Sequence, residues 1–178
     1  MAVITFQNPK GGSSKTTSAL ILATTLAQMG QRVALIDSDP NAPLVRWAEG
    51  RQDERLTVAQ AFDREVMSKV VELHATHDYV VIDTEGTAHM TVGYALARTD
   101  LAIMPISLSQ LDVDQAGRAI GYLEAQGEVQ NRKIPYRLLF TKTTAAFQTR
   151  VEKAIRQDAA EDNVVYFETT LANRQAFI

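Results

Sequence analysis

Residues 8–17, Asn8-Pro9-Lys10-Gly11-Gly12-Ser13-Ser14-Lys15-Thr16-Thr17, decide the fold of this chain. They sit between a short apolar, β-branched run at residues 3–7 (VITFQ) and a stretch of helical spacing over residues 15–29. Two adjacent glycines let a backbone come close to an anion, with the loop amides turned towards it. The helix that follows points its positive end at the same place. In that setting Lys15 is the cation for the β- and γ-phosphates of a nucleotide, and the Thr16 hydroxyl is a ligand for magnesium. A glycine turn that happens to precede a lysine would show the same letters, but not between a strand and a helix.

Outward from the loop, the same alternation repeats. Residues 32–37, 79–83, 101–106, 136–141 and 164–167 read as strands without a polar face, as parallel strands covered on both sides do. Helical spacing separates them at residues 63–75, 112–125 and 145–159, and Gly30 follows the first helix where a C-terminal cap belongs. The expectation is an α/β fold: one domain over residues 1–178, a doubly wound, mostly parallel sheet with helices on both faces.

Composition narrows the classes. The chain has 178 residues, 46% hydrophobic and 22% charged, and no cysteine. That profile excludes a disordered segment, a disulfide scaffold and a thiolate metal site. No apolar run is long enough to span a bilayer, and the first seven residues lack the basic start of a signal peptide. His74, His77 and His89 lack metal-site spacing and read as surface or turn residues. Trp47 falls in a short helical stretch and reads as packing. The net charge is −3, but residues 132–156 hold Arg132, Lys133, Arg137, Lys142, Arg150, Lys153 and Arg156 against a single acid, Glu152.

Further along, Asp37-Ser38-Asp39-Pro40-Asn41 closes the second strand, at the edge where ligands bind in open α/β sheets. Alone it reads as a turn whose aspartates satisfy backbone groups. Asp83 closes a buried strand in the manner of a carboxylate that holds magnesium through water.

The loop does not satisfy the usual GxxxxGK[ST] pattern, since Pro9 and Ser14 stand where glycine is asked for. It fits the deviant form KGGxxKTT. With the DSDP turn and Val80-Val81-Ile82-Asp83, the chain resembles the ParA/MinD family of ATPases over nearly its whole length, and most of all the small plasmid-partition ParA proteins. The resemblance implies ATP and Mg²⁺ bound by Lys10, Gly11, Gly12, Ser13, Ser14, Lys15, Thr16 and Thr17. It implies that Lys10 crosses a dimer to the phosphates of the partner's ATP, that Asp39 orients the attacking water, and that Asp37 joins Thr16 and Asp83 around magnesium. Lys10, Lys15 and Asp39 are then the catalytic set. Ser14 and Glu85 depart from the family pattern.

The same resemblance implies a slow ATPase that dimerises on ATP, binds DNA without sequence preference and is stimulated by a ParB-like or small centromere-binding protein. It also implies a cytoplasmic, nucleoid-associated location. Alternative readings are a MinD-like ATPase, another cargo-positioning ATPase (conjugative transfer, chemoreceptor clusters) and a P-loop biosynthetic ligase. Against the first, no amphipathic membrane helix precedes Ile178; against the last stand Lys10 and the DSDP turn. Similar proteins continue past the segment matching residues 169–178 with helices that help close the adenine pocket, so Thr141 and Lys142 are assigned to adenine from their place at a strand end. Arg150, Lys153 and Arg156 recur every three residues and are assigned to a DNA-binding helix face, widened by Lys133 and Arg137. A solvated basic helix balanced by Asp158, Glu161 and Asp162 would look the same.

Overall fold

The computed structural model describes residues 1–86, 89–144 and 146–174, without the side chains of His89 and Gln110. Its strands are β1 (Ala2–Phe6), β2 (Val33–Ser38), β3 (Leu56–Gln60), β4 (Tyr79–Thr84), β5 (Leu101–Ser107), β6 (Tyr136–Thr143) and β7 (Leu171–Ala172). They form one sheet in the order β3-β2-β4-β1-β5-β6-β7. Every pairing is parallel. The helices are α1 (Lys15–Gln28), α2 (Pro43–Ala48), α3 (Arg64–His74), α4 (His89–Leu96), α5 (Gln110–Val129) and α6 (Arg150–Glu161).

The two faces of the sheet divide by side-chain parity, as period-two strands require. Val33 and Leu35 of β2 and Val81 of β4 meet Ala19, Ala23 and Ala27 of α1 on one face. Three alanines at four-residue spacing let that helix lie close to the sheet. Ala34, Ile36, Val80 and Ile82 meet Val66, Val70 and Leu73 of α3 on the other. Met104, Ile106, Leu138 and Phe140 continue that second face under α5 and α6. Each fully buried aliphatic side chain of this kind stabilises the fold by about 1.5–3 kcal/mol.

Three expectations needed correction. Residues 164–167 form no named strand: Tyr166 makes an isolated bridge to Leu138, and the edge is completed by the two-residue β7. The last helix begins at Arg150 rather than 145, because Thr149 caps it by accepting the Glu152 N–H at 3.1 Å; residue 145 itself lies outside the described residues. Strand β3 and helix α4 were not expected. β3 is an edge strand with no fully buried residue, so its apolar signal is weak. Among the described residues, no helix is long and apolar enough to cross a membrane.

Candidate functional site

Parallel pairing sets Phe6 beside Asp83, and Asp83 beside Asp37. The loop leaving β1 therefore emerges close to two carboxylates at the carboxyl edge of the sheet. Asn8 fastens its start: Nδ2 donates to the Pro105 carbonyl at 2.7 Å, and Oδ1 accepts the Lys10 N–H at 2.8 Å. Thr141 fastens its middle, with its hydroxyl shared between the carbonyls of Ser13 (3.3 Å) and Ile106 (3.2 Å). Lys15 folds back over the loop and donates from Nζ to the Lys10 carbonyl at 3.2 Å.

The result is a cavity of about 400 Å³ lined by Gly11, Gly12, Ser13, Ser14, Lys15, Thr16 and Thr17, closed by Asp39, Glu85 and Gly86. Gly86 packs so tightly on the loop that a Cβ there would lie 2.9 Å from the Pro9 carbonyl oxygen. Any side chain at residue 86 separates the segment after β4 from the phosphate loop.

Gly12 and Ser14 both adopt left-handed backbone, with φ of 73° and 71°. Glycine does so at no steric cost; serine does not. Ser14 thus holds the conformation for which the usual pattern supplies glycine, and caps α1 without a side-chain hydrogen bond. Ser14→Gly is expected to relieve strain of about 1 kcal/mol, read as a higher midpoint of denaturant unfolding with unchanged slope. A lower midpoint would show that the Ser14 side chain contributes more than its backbone costs.

Burial lowers the pKa of Lys15, against the opposing charges of Asp83, Asp39 and Glu85. Burial likewise pushes Asp83 up to about 7, opposed by a hydrogen bond from Thr16 and the charge of Lys15. Among the described residues, Asp83 Oδ1 and Ser13 Oγ are buried without a hydrogen-bond partner. A desolvated cation, a carboxylate held near neutrality and an unpaired oxygen beside a threonine hydroxyl are complementary to an anion chelated to a divalent metal. Among the described residues, no three His, Cys, Asp or Glu side chains could hold a metal by themselves. That suits an ion such as magnesium, which keeps waters and takes phosphate oxygens with few protein ligands.

The expected residues from Gly11 to Thr17 come together with Asp39 around the cavity. Lys10, whose ammonium pairs with Asp112, is not among the lining residues, and Asp37, Asp39, Thr141 and Lys142 differ in detail. Asp37 is fully buried, and its oxygens accept the N–H groups of Asp39 (3.1 Å), Leu44 (2.8 Å) and Val45 (3.2 Å). Those bonds give it first the task of holding the turn that carries Asp39 and the start of α2. Asp39 lines the cavity, yet its Oδ1 also accepts the Asn41 backbone N–H at 2.8 Å, so it stands both in the turn and at the site. Thr141 is wholly buried beneath the loop; it positions the loop rather than facing a base, while Lys142 is exposed with φ of 56°.

The basic helix also differs from expectation. Arg150 and Lys153 are exposed, but Arg156 is only 8% exposed. It pairs with Glu152 at 3.1 Å, and its guanidinium stacks 4.8 Å from the Phe140 ring centroid and 5.3 Å from that of Tyr166. The three-residue spacing does not keep a single face, because each step falls about 60° short of a turn. Lys133 lies before the start of β6, at the end opposite Lys142.

Two site residues escaped the sequence reading. Asn8 could have been found from its place in the loop. Asp112, which pairs with Lys10, gave no signal, since 102 residues separate the two.

A parallel sheet with this strand order, a KGGSSKTT loop and a buried carboxylate at the end of the neighbouring strand define a P-loop nucleotide-binding protein of the ParA/MinD class. The chain belongs to the VirC1 family: the family model described as VirC1 protein matches residues 1–178. It is similar to Protein ParA of Rhizobium radiobacter, with 30% identity over 99% of this chain and 81% of the relative. It is similar to Protein virC1 of Rhizobium rhizogenes, with 31% identity over 99% of this chain and 79% of the relative. In fold it matches a putative plasmid partition protein from Borrelia burgdorferi B31 bound to AMPPNP (TM-score 0.80, 21% identity, 99% of this chain and 88% of that one).

Proposed function

We propose that this chain is a ParA-type ATPase that binds ATP with Mg²⁺, closes into a dimer through Lys10, and in that state holds DNA without sequence preference until a partner protein stimulates hydrolysis. The observation that carries the reading is one cavity lined by Lys15, Thr16 and Asp39, with Lys10 on the same loop and Asp83 at the adjoining strand end. The names of the relatives, ParA and plasmid partition protein, support the positioning role.

In this reading Lys15 and the loop amides hold the phosphates. Thr16 and Asp83 are the residues that would hold magnesium, whose chemistry is to neutralise charge on the phosphates. Asp39 orients the attacking water, and Asp37 holds Asp39 in place. Little covalent work falls to the protein, so positioning and charge set the rate. Binding to DNA would place the protein on the nucleoid. Of the three basic residues first assigned to α6, Arg150 and Lys153 are the exposed pair for phosphate contacts, and two copies in a dimer lengthen the cationic track. The stimulating partner is of the ParB or small centromere-binding kind.

The test is retention of non-specific duplex DNA with ATP and with ADP. ATP alone is expected to give retention and a dimer in sedimentation, and Lys10→Ala is expected to lose both. Arg150→Glu with Lys153→Glu should weaken retention and flatten its salt dependence, by about 0.9 in log–log slope for each phosphate no longer neutralised. Equal retention with ADP, or none with either nucleotide, rules the proposal out.

A further inference from the structure

The Lys10 ammonium is already engaged within its own chain. Its Nζ lies 2.5 Å from Asp112 Oδ1, with the lysine side chain 32% and the aspartate side chain 3% exposed. Asp112 occupies the first turn of α5, where Ser109 is the cap: the Ser109 hydroxyl accepts the Asp112 N–H at 3.2 Å and donates to Asp112 Oδ2 at 2.5 Å. Burial pushes the Asp112 carboxyl up, but hydrogen bonds from Lys10, Ser109 and Ser107 and the charge of Lys10 outweigh it, leaving the pKa below the ordinary value.

We propose that Asp112 is the resting-state partner of Lys10, a positioning residue that holds this lysine back until the phosphates of a partner-bound nucleotide compete it away. The inference rests on the cross-subunit use of Lys10 proposed above. A lysine held against α5 of its own chain does not reach the neighbouring subunit, so dimer closure must break this pairing in both copies. The geometry makes the exchange feasible. When Lys10 leaves, Asp112 keeps the Ser109 and Ser107 hydroxyls and the positive end of α5, so the carboxylate is not left buried and unpaired. Lys10 keeps its backbone place through Asn8, so only its side chain must swing.

The experiment measures dimerisation by sedimentation with a non-hydrolysable ATP analogue and Mg²⁺. Asp112→Asn removes the charge and retains an acceptor for Ser109; its dimer dissociation constant is expected to fall about tenfold for each of the two pairings broken, about 100-fold in all, the scale of a charge-assisted hydrogen bond in each copy. Ser109→Ala removes the cap and also a hydrogen bond to Asp112, so Asp112 leans more on Lys10 and the constant should not fall; Asp112→Glu should restore the parent's constant. Asp112→Asn in a Lys10→Ala background should match Lys10→Ala, because the effect passes through the lysine. On the parent protein, a zero-length carbodiimide is expected to link Lys10 to Asp112 without nucleotide and to lose that link with the analogue, whatever the stability of the variants. An unchanged or weaker Asp112→Asn dimer, or a link that persists in the analogue-bound dimer, overturns the inference while Lys10→Ala still fails to dimerise. If Lys10→Ala dimerises like the parent, the dimer reading itself fails.

Discussion

Lys15→Ala is expected to weaken binding of ATP–Mg²⁺ by about 100-fold or more, the usual cost of deleting one partner of a buried, hydrogen-bonded charge pair. The size follows from the setting. Lys15 is 8% exposed, its burial already disfavours the charge, and its ammonium donates to the Lys10 carbonyl. A polyphosphate entering the cavity adds a counter-charge to that of the nearby carboxylates. Because the Lys15 charge is held at a desolvation cost, the nucleotide-free variant should unfold at nearly the denaturant concentration of the parent, which separates a binding defect from a folding defect. Calorimetric titration with AMPPNP checks the point, and an affinity within a factor of about three of the parent would remove the basis of the functional reading.

Asp39→Ala is expected to bind ATP but turn it over about 10²–10⁴ times more slowly, the range for loss of a positioned base. The structure adds a sharper comparison. Asp39 also holds Asn41 through Oδ1, so alanine disturbs the turn as well as the chemistry. Asparagine keeps an oxygen for the turn and removes the negative charge. If Asp39 acts on water, Asp39→Asn stays as slow as Asp39→Ala and both accumulate as dimers in ATP. Recovery of turnover by asparagine would return Asp39 to the turn alone.

What was legible in the sequence was local. The phosphate loop needs a strand, a flexible bend and a helix within residues 2–28, and the letters show all three. Buried central strands announce themselves as continuous apolar runs, and β2 and β4 are almost wholly buried. β3 escaped because an edge strand with half-exposed residues lacks such a run. Arg156 misled for a different reason: spacing gives an angle around a helix but not which side meets the sheet, and Phe140 and Tyr166 stand where Arg156 turns. Thr141 was placed at the right strand end, but the orientation of its hydroxyl depends on the Ser13 carbonyl 128 residues earlier. The pairing of Lys10 with Asp112 is likewise a product of topology, because β1 and β5 are neighbours in the sheet.

The tight approach of Gly86 to Pro9 bears on how the family can diverge. At Ser14 a side chain is tolerated at a backbone cost, so the identity of that residue can drift between glycine and serine as other changes offset it. At residue 86 there is no comparable latitude, since the obstacle is a backbone oxygen rather than a movable side chain. Lineages that keep this backbone should therefore hold glycine at position 86 while residue 14 varies, and a lineage that loses it should show a remodelled loop at Pro9 as well.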